Sequence, residues 1–392
     1  MPEDEDEHRF KDHQKTTRLL NIIYADMESR IDPDTHLHTP GYVGAMQVWH
    51  EEYADQHNTD EVDIFKGDDC VTDFLNYLEG KARENVEYLD MYTHQPIEMG
   101  AYEQRRHNTI MVCDFCELPF TEERFKCADH DHITGRYLHT LCSKCNLRRV
   151  QYRRRMTVVF HNLKGYDGHH LMRYGLANKL DWDLNPIYQS GDKLLGVIVR
   201  IPLGQADEVV EGEEEVVHDD DEEDDIGGAE EAMEEVPKKK KKREYYTITF
   251  IDSFQFLSSS LAKLVDALPD TPISRRMVAN AYNLSVEDGQ RISKGHFPYT
   301  FFTSFDILRT TTELPPIEAF YNDLTEKDCS EEVYATAQDA WRTIGCSNLE
   351  EYLIYYLKVD VAALADIFEA FRQDVYADSE LDAAHFFGSP GL

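Results

Sequence analysis

Four acidic residues stand at the ends of apolar runs in this sequence. Asp26 and Glu28 are two apart in YADMES, so in a strand both side chains project from one face. Asp167 closes the run FHNLKGYD, where Gly165 marks a turn out of a strand. Asp360 lies in YLKVD, four residues after Tyr356, so the two share a helix face. Carboxylates brought from separate elements supply the hard oxygen ligands that magnesium (or manganese) takes. Two such ions side by side activate a water and stabilise the leaving oxygen of a phosphodiester. A second constellation is softer. Cys113-x2-Cys116 and Cys142-x2-Cys145 have the spacing of a tetrahedral thiolate site for one zinc ion, with CADHDHITG at 127–135 between the pairs. Cys70, Cys127, Cys329 and Cys346 have no such partners and read as structural.

The elements that must hold these groups are readable as patterns. LLNIIYA at 19–25 is an apolar run of strand length ending at Asp26, and VVFHNL at 158–163 is another, preceded by RRR at 153–155. YYTITFIDSF at 245–254 is rich in β-branched and aromatic residues, and LLGVIVRIP at 194–202 is its expected hairpin partner. FKGDDCVTDFLNYLEG at 65–80 is an expected helix. Residues 347–375 form the clearest helix, with Ser347 and Glu350 as a capping box. Leu349, Leu353, Tyr356, Asp360, Leu364, Ile367 and Phe371 fall on one face of it. An aspartate inside such a stripe costs several kcal/mol, on the order of 2–7, unless it is paired or metal-bound.

Taken in order, D-x-E, N-x3-Y-D and Y-x3-D resemble the three-motif signature of the DEDD-type 3′–5′ exonuclease domain of family B DNA polymerases. FHNLKGYDGHHL, FIDSFQFLSSSLAKLV, KGHFPYTFF, PPIEAFYNDL and YLKVDVAALADIFEAF are similar to the protein-primed viral and organellar branch, Maverick/Polinton-type transposons included. The resemblance implies a ribonuclease-H-like α/β fold in which Asp26, Glu28, Asp167 and Asp360 bind two metal ions. It implies that Tyr356 orients the attacking water and that Lys294 stabilises charge at the scissile phosphate. Asn162, Tyr166 and Ser253, with His161 and Phe254, would hold a single-stranded 3′ end. DNA (single-stranded 3′ ends, primer-template) is the implied partner, together with a terminal priming protein.

The cysteine pairs with Asp-His-Asp-His-x-Thr-Gly between them resemble the ββα-metal nucleases of the endonuclease VII group. By that resemblance Asp129 and Asn146 are metal ligands, His130 a general base and His132 a phosphate or metal contact, a possible second nuclease site. Leu138–His139 stands where members of that group carry Arg-Gly, which removes a phosphate clamp. A structural or DNA-guiding zinc module is therefore the expectation, with LRRVQYRRR at 147–155 tracking the backbone. The alternatives are a structure-selective endonuclease centred on His130 and a catalytically idle DNA-binding or priming remnant.

The expected division is a disordered acidic tail over 1–17, an exonuclease domain in three parts (18–104, 157–203, 245–375), a ββα-type zinc insert over 105–156 and a disordered insert over 204–244. Residues 376–392 would begin the connection to a polymerase domain, whose palm motifs do not occur in this sequence. The 392 residues thus read as an N-terminal fragment, a truncated product or an orphaned nuclease. The net charge of −36 is concentrated, because residues 207–235 hold seventeen Asp/Glu and no Lys/Arg. Such acidity excludes non-specific adhesion to nucleic acid, so DNA must be met by local basic groups or metals. KKKKKR at 238–243 reads equally as a nuclear address or as a block balancing its acidic neighbour. No segment has the length and apolarity of a membrane span, the N-terminus is not a secretory signal, and the cysteine usage points to a reducing, intracellular setting.

Overall fold

The computed structural model describes residues 13–32, 34–50, 60–92, 95–149, 154–190, 193–203, 244–285, 292, 294–322 and 326–391. The acidic residues 1–12, the insert 204–243 with its KKKKKR and most of the arginine run 148–153 lie outside that description, His13–Thr16 forming a turn of 3-10 helix.

The strands are β1 (Asn21–Ile31), β2 (His38–Trp49), β3 (Asp63–Lys66), β4 (Lys126–His130), β5 (Tyr137–Cys142), β6 (Arg155–Phe160), β7 (Asp183–Ser190), β8 (Lys193–Pro202) and β9 (Tyr245–Asp252). The helices are α1 (Cys70–Tyr92), α2 (Ala101–Thr109), α3 (Ser143–Arg149), α4 (Asp167–His170), α5 (Leu261–Ala267), α6 (Pro272–Tyr282), α7 (Phe305–Thr310), α8 (Glu331–Ile344) and α9 (Leu349–Ser379). Seven strands form one mixed sheet in the order β3-β2-β1-β6-β9-β8-β7, in which β1, β6 and β9 run parallel and the other neighbours antiparallel. β4 and β5 make a separate two-stranded sheet.

The central strands are apolar on both faces because both are covered. Ile22 and Tyr24 of β1, Val159 of β6 and Ile251 of β9 pack with α9 on one side. Ile23, Ala25, Met27, Val158, Phe160 and Phe250 pack with Phe74, Leu75 and Leu78 of α1 on the other. Alternation along β1 therefore assigns Asp26 and Glu28 to the α9 side. β1 does not end at Asp26, as the apolar run suggested, but continues through Glu28 with a register shift between Glu28 and Ser29. The expected 194–202 and 245–254 partners do pair, antiparallel, from Gly196↔Ile251 to Pro202↔Tyr245.

Two helix boundaries differ from the sequence expectation. The helix expected over 65–80 starts at Cys70 and runs to Tyr92, because Asp63–Lys66 is taken up as an edge strand against β2. The capping box expected at Ser347 and Glu350 is displaced by one residue. Asn348 is the N-cap and accepts the backbone N–H of Glu351 at 3.0 Å, while Glu351 Oε2 accepts the Ser347 N–H at 2.7 Å. Glu350 is released to face the sheet. It accepts the Tyr42 hydroxyl at 2.8 Å, Lys66 and Arg309 each lying 3.4 Å away, and these partners hold its carboxyl below the usual range against the effect of its burial.

At its other end α9 is held by buried charge. Arg372 donates to both carboxylate oxygens of Asp382 (2.9 and 2.6 Å) and to both of Glu369 (2.7 and 2.8 Å). Glu369 also accepts the Tyr24 hydroxyl at 2.5 Å, and Asp382 accepts the Leu19 N–H at 3.0 Å, so the network joins the end of α9 to β1 and to the chain entering it. Between these anchors α9 lies close against the sheet at Gly44, the β2 residue paired with Asp26. A Cβ at Gly44 would come within 3.0 Å of both Leu357 and Val361. Gly44→Ala is accordingly expected to lower stability by about 1–3 kcal/mol through overpacking, read from the midpoint of a urea titration. A neutral or stabilising result would show that α9 does not seat on β2 at this point.

Candidate active site

Asp26, Glu28 and Asp360 each offer a carboxylate oxygen within 4.8 Å of the others. Glu28 and Asp360 are buried and Asp26 is partly so. At that spacing each pair of like charges costs about 3–4 kcal/mol at an effective dielectric constant near 20. Burial first, and then the charge of Asp360, push the Asp26 carboxyl up to about 7. Burial and the charges of Asp26, Asp360 and Asp167 raise Glu28 well above the usual carboxylate range. Asp167 begins α4 and is also buried; it stands outside the closest group, yet burial and its interactions with Asp26 and Asp252 raise it strongly. Oδ1 of Asp167 and Oδ1 of Asp360 are buried with no hydrogen-bond partner. Buried orphan oxygens on crowded carboxylates are a donor set suited to a hard divalent cation.

Lys294 is the basic group brought to this cluster, its ammonium in contact with Asp360 Oδ2. Burial works against its charge, but Asp360 and Asp26 hold it above its ordinary value. The ammonium also lies 5.0 Å from the ring centre of Tyr356, one turn before Asp360 on α9. Tyr356 is buried, and burial followed by the charge of Asp360 raises its phenol, so it stays protonated. Tyr299 is a neighbour that sequence reasoning missed. Its hydroxyl sits 3.0 Å from that of Tyr356 and 3.3 Å from Glu28 Oε1. The signal lay in SKGHFPY, the segment from which Lys294 was taken, where Tyr299 follows five residues later.

The loop from β6 to α4 carries Asn162, Tyr166 and Asp167, and its shape is set by a second missed residue. Asp252, at the end of β9 and fully buried, accepts the backbone N–H groups of Asn162 (2.8 Å), Lys164 (3.1 Å) and Phe254 (3.0 Å). Asn162 adopts the left-handed conformation at φ 72°, which asparagine tolerates better than most residues. Its side chain is exposed beside the site, and Tyr166 is partly exposed. His161, Ser253 and Phe254 form a unit of their own. His161 Nε2–H donates to Ser259 O (3.0 Å) and Nδ1 accepts the Ser253 hydroxyl (2.9 Å), with Phe254 edge-on at 5.5 Å. Ser253 is buried with its hydroxyl engaged in this way.

The four cysteines Cys113, Cys116, Cys142 and Cys145 bring their sulfurs within 4.8 Å of one another. They sit where the loop before β4 meets the β5–α3 junction, around a small core of Cys113, Leu141 and Cys142. Arg124 donates to Cys116 Sγ at 2.6 Å and to Cys142 Sγ at 3.3 Å. Burial opposes ionisation of Cys142, but the Cys145 N–H and Arg124 bring its thiol down to about 6, a thiolate at neutral pH. Arg106 grips Asp114 with two bonds (3.0 and 2.8 Å), and Asp114 accepts the Thr140 N–H at 2.6 Å, which ties α2 to β5. Of the remaining cysteines, Cys70 and Cys346 are buried and Cys127 and Cys329 partly exposed.

Asp129, His130, His132 and Asn146 are placed differently. Asp129 is buried on β4 opposite His139, the His130 and His132 rings stack at 4.6 Å and 8°, and Asn146 is on α3. Among the described residues, Asp129, His130 and His132 join neither group close enough to hold a metal. No helix among the described residues is long and apolar enough to cross a membrane.

Residues 230–386 match the family described as DNA polymerase type B, organellar and viral, a stretch that holds Ser253, Phe254, Lys294, Tyr356 and Asp360. No curated protein matches the chain. Among solved structures, it is similar to Phi29 DNA polymerase complexed with primer-template DNA and incoming nucleotide substrates (ternary complex), at 11% identity and a TM-score of 0.29. That match covers 92% of this chain and 32% of the other, so the chain spans about a third of that polymerase.

Proposed function

We propose that this chain, which carries a region of the organellar and viral type B DNA polymerase family, is the 3′–5′ exonuclease portion of such a replication enzyme. On this reading it removes nucleotides from single-stranded or frayed 3′ ends of DNA, on a ribonuclease-H-like fold. The observation that carries the reading is the meeting of Asp26 and Glu28 from β1 with Asp360 from α9, within 4.8 Å and beside Lys294 and Tyr356.

Asp26, Glu28, Asp360 and the adjacent Asp167 would hold two magnesium ions. When bound, such ions supply an activated water and charge stabilisation at the leaving oxygen. The rest falls to the chain's own groups. Tyr356, kept protonated and accepting the Tyr299 hydroxyl, would orient the attacking water without acting as a base. Lys294 supplies a fixed positive charge for the scissile phosphate. Asn162, exposed, and Tyr166, partly exposed, on the loop that Asp252 braces, receive the terminal nucleotide, and Ser253 and Phe254 support that loop through His161. Purified chain with Mg²⁺ should shorten a 5′-labelled single-stranded oligonucleotide from its 3′ end. Asp26→Asn and Asp360→Asn should each slow it by about 10³-fold, several kcal/mol of lost transition-state stabilisation. An inert wild-type chain, or variants that cut at the wild-type rate, would overturn the reading.

The four cysteines would hold one structural zinc ion, ordering a module around β4, β5 and α3 whose own core is small. Its place on this reading is that of a brace beside the nuclease, with Leu138–His139 standing where a phosphate-clamping arginine would be needed for a second catalytic centre. Metal analysis of the purified chain should find about one zinc per chain, and its removal by a thiol-competing chelator should lower the melting temperature. A zinc-free chain with the same melting temperature would contradict the assignment.

A further inference from the structure

His38 has no part in the sequence motifs, yet the fold brings it to the loop that carries Asp167. It is the first residue of β2, paired with Ile31 at the far end of the strand that bears Asp26 and Glu28. Its Nδ1 lies 2.7 Å from the Tyr166 hydroxyl, and the two rings stand at 83° with centroids 5.6 Å apart. The buried His170 of α4 meets the same ring edge-to-face at 4.8 Å and 82°. The Tyr166 hydroxyl and His38 Nδ1 share one hydrogen bond, with the imidazole tautomer setting which of them donates. The phenol is thus held at its tip by a hydrogen bond and along its ring by two perpendicular imidazoles, while part of the residue stays exposed.

We propose that His38 is a positioning residue that fixes the Tyr166 ring as a preformed platform for the base of the 3′-terminal nucleotide. This rests on the exonuclease reading above. An aromatic ring stacks on any base, so the platform is sequence-tolerant. Its value lies in being held before the strand arrives: an unfixed ring must be immobilised on binding, which weakens binding by a few-fold. A phenylalanine at 166 would keep the stacking surface and lose the lock. The device acts on capture of the strand end and leaves the hydrolytic step itself untouched.

The test uses the full chain and a 5′-fluorescein single-stranded oligonucleotide. Binding is read by anisotropy in Ca²⁺ and turnover in Mg²⁺. His38→Ala is expected to raise both Kd and KM by about three- to tenfold with kcat within about twofold, the scale of one freed side chain. His38→Gln, which restores a side-chain hydrogen-bonding partner, should recover most of that loss. Tyr166→Phe, which leaves His38 in place and does not depend on the folding of a His38 variant, should reproduce it. In the Tyr166→Phe background His38→Ala, which then removes only the ring contact, should add little further. Unchanged Kd and KM in His38→Ala, a neutral Tyr166→Phe, or a full His38→Ala penalty persisting in Tyr166→Phe would each overturn the assignment. A wild-type chain that neither binds nor shortens the strand would overturn the exonuclease reading and this inference with it. An active wild-type chain indifferent to His38 overturns only the inference.

Discussion

Three carboxylates held within 4.8 Å of one another, two of them buried, repel strongly unless a cation or a proton intervenes. Lys294 brings one positive charge to Asp360 against several negative ones, and the raised Asp26 and Glu28 carboxyls register the imbalance. Hydrophobic packing alone would not choose this arrangement, since solvating any one of these acids on the surface would relieve it. The crowding is maintained by the surrounding fold, and much of that fold can be understood as the means of maintaining it.

The long helix α9 is the element under tension, because it carries Asp360 toward a strand that already bears two acids. Near its start, Glu350 engages Tyr42 on β2, with Lys66 and Arg309 close by. Near its end, Arg372, Glu369 and Asp382 link it to Tyr24 and to the entry of β1. Removing one partner of a buried ionic network leaves an uncompensated charge, typically at a cost of about 3–5 kcal/mol. A buried ionic network at the far end and the Tyr42–Glu350 hydrogen bond near the start, with Gly44 opening space between them, fix the height of Asp360 over Asp26. The loop bearing Asp167 is held separately, by Asp252 drawing three backbone N–H groups to one carboxylate.

Local spacing made part of this legible. Asp26 and Glu28 share a face because strand side chains alternate, Tyr356 and Asp360 because helical ones recur every four residues, and the cysteine pairs because two intervening residues suit a metal. The apolar runs of β1, β6, β8 and β9 were readable for the same reason. What depends on register across the sheet was not. Asp252 acts on Asn162 only because β9 lies beside β6 with Asp252 opposite Phe160, and nothing in either segment states that pairing. His38 meets Tyr166 through the β1–β2 pairing, and Tyr299 meets Glu28 through an irregular segment packed under α9. The helix cap moved from Ser347 to Asn348 because two adjacent residues can both cap, and the sheet's hold on Glu350 selects between them.

The arrangement of Asp26, Glu28 and Asp360 should act as a site for a hard divalent cation. Titration of Mn²⁺ into the full chain, followed by the electron paramagnetic resonance of the free ion, measures this without any turnover. Binding should be saturable and should weaken by about tenfold or more in Asp26→Asn and Asp360→Asn, at least the loss seen when even an outer-shell partner of a metal site is removed. The same titration should be unchanged in His130→Ala. Binding that is indifferent to Asp26 and Asp360, or that disappears with His130, would contradict it.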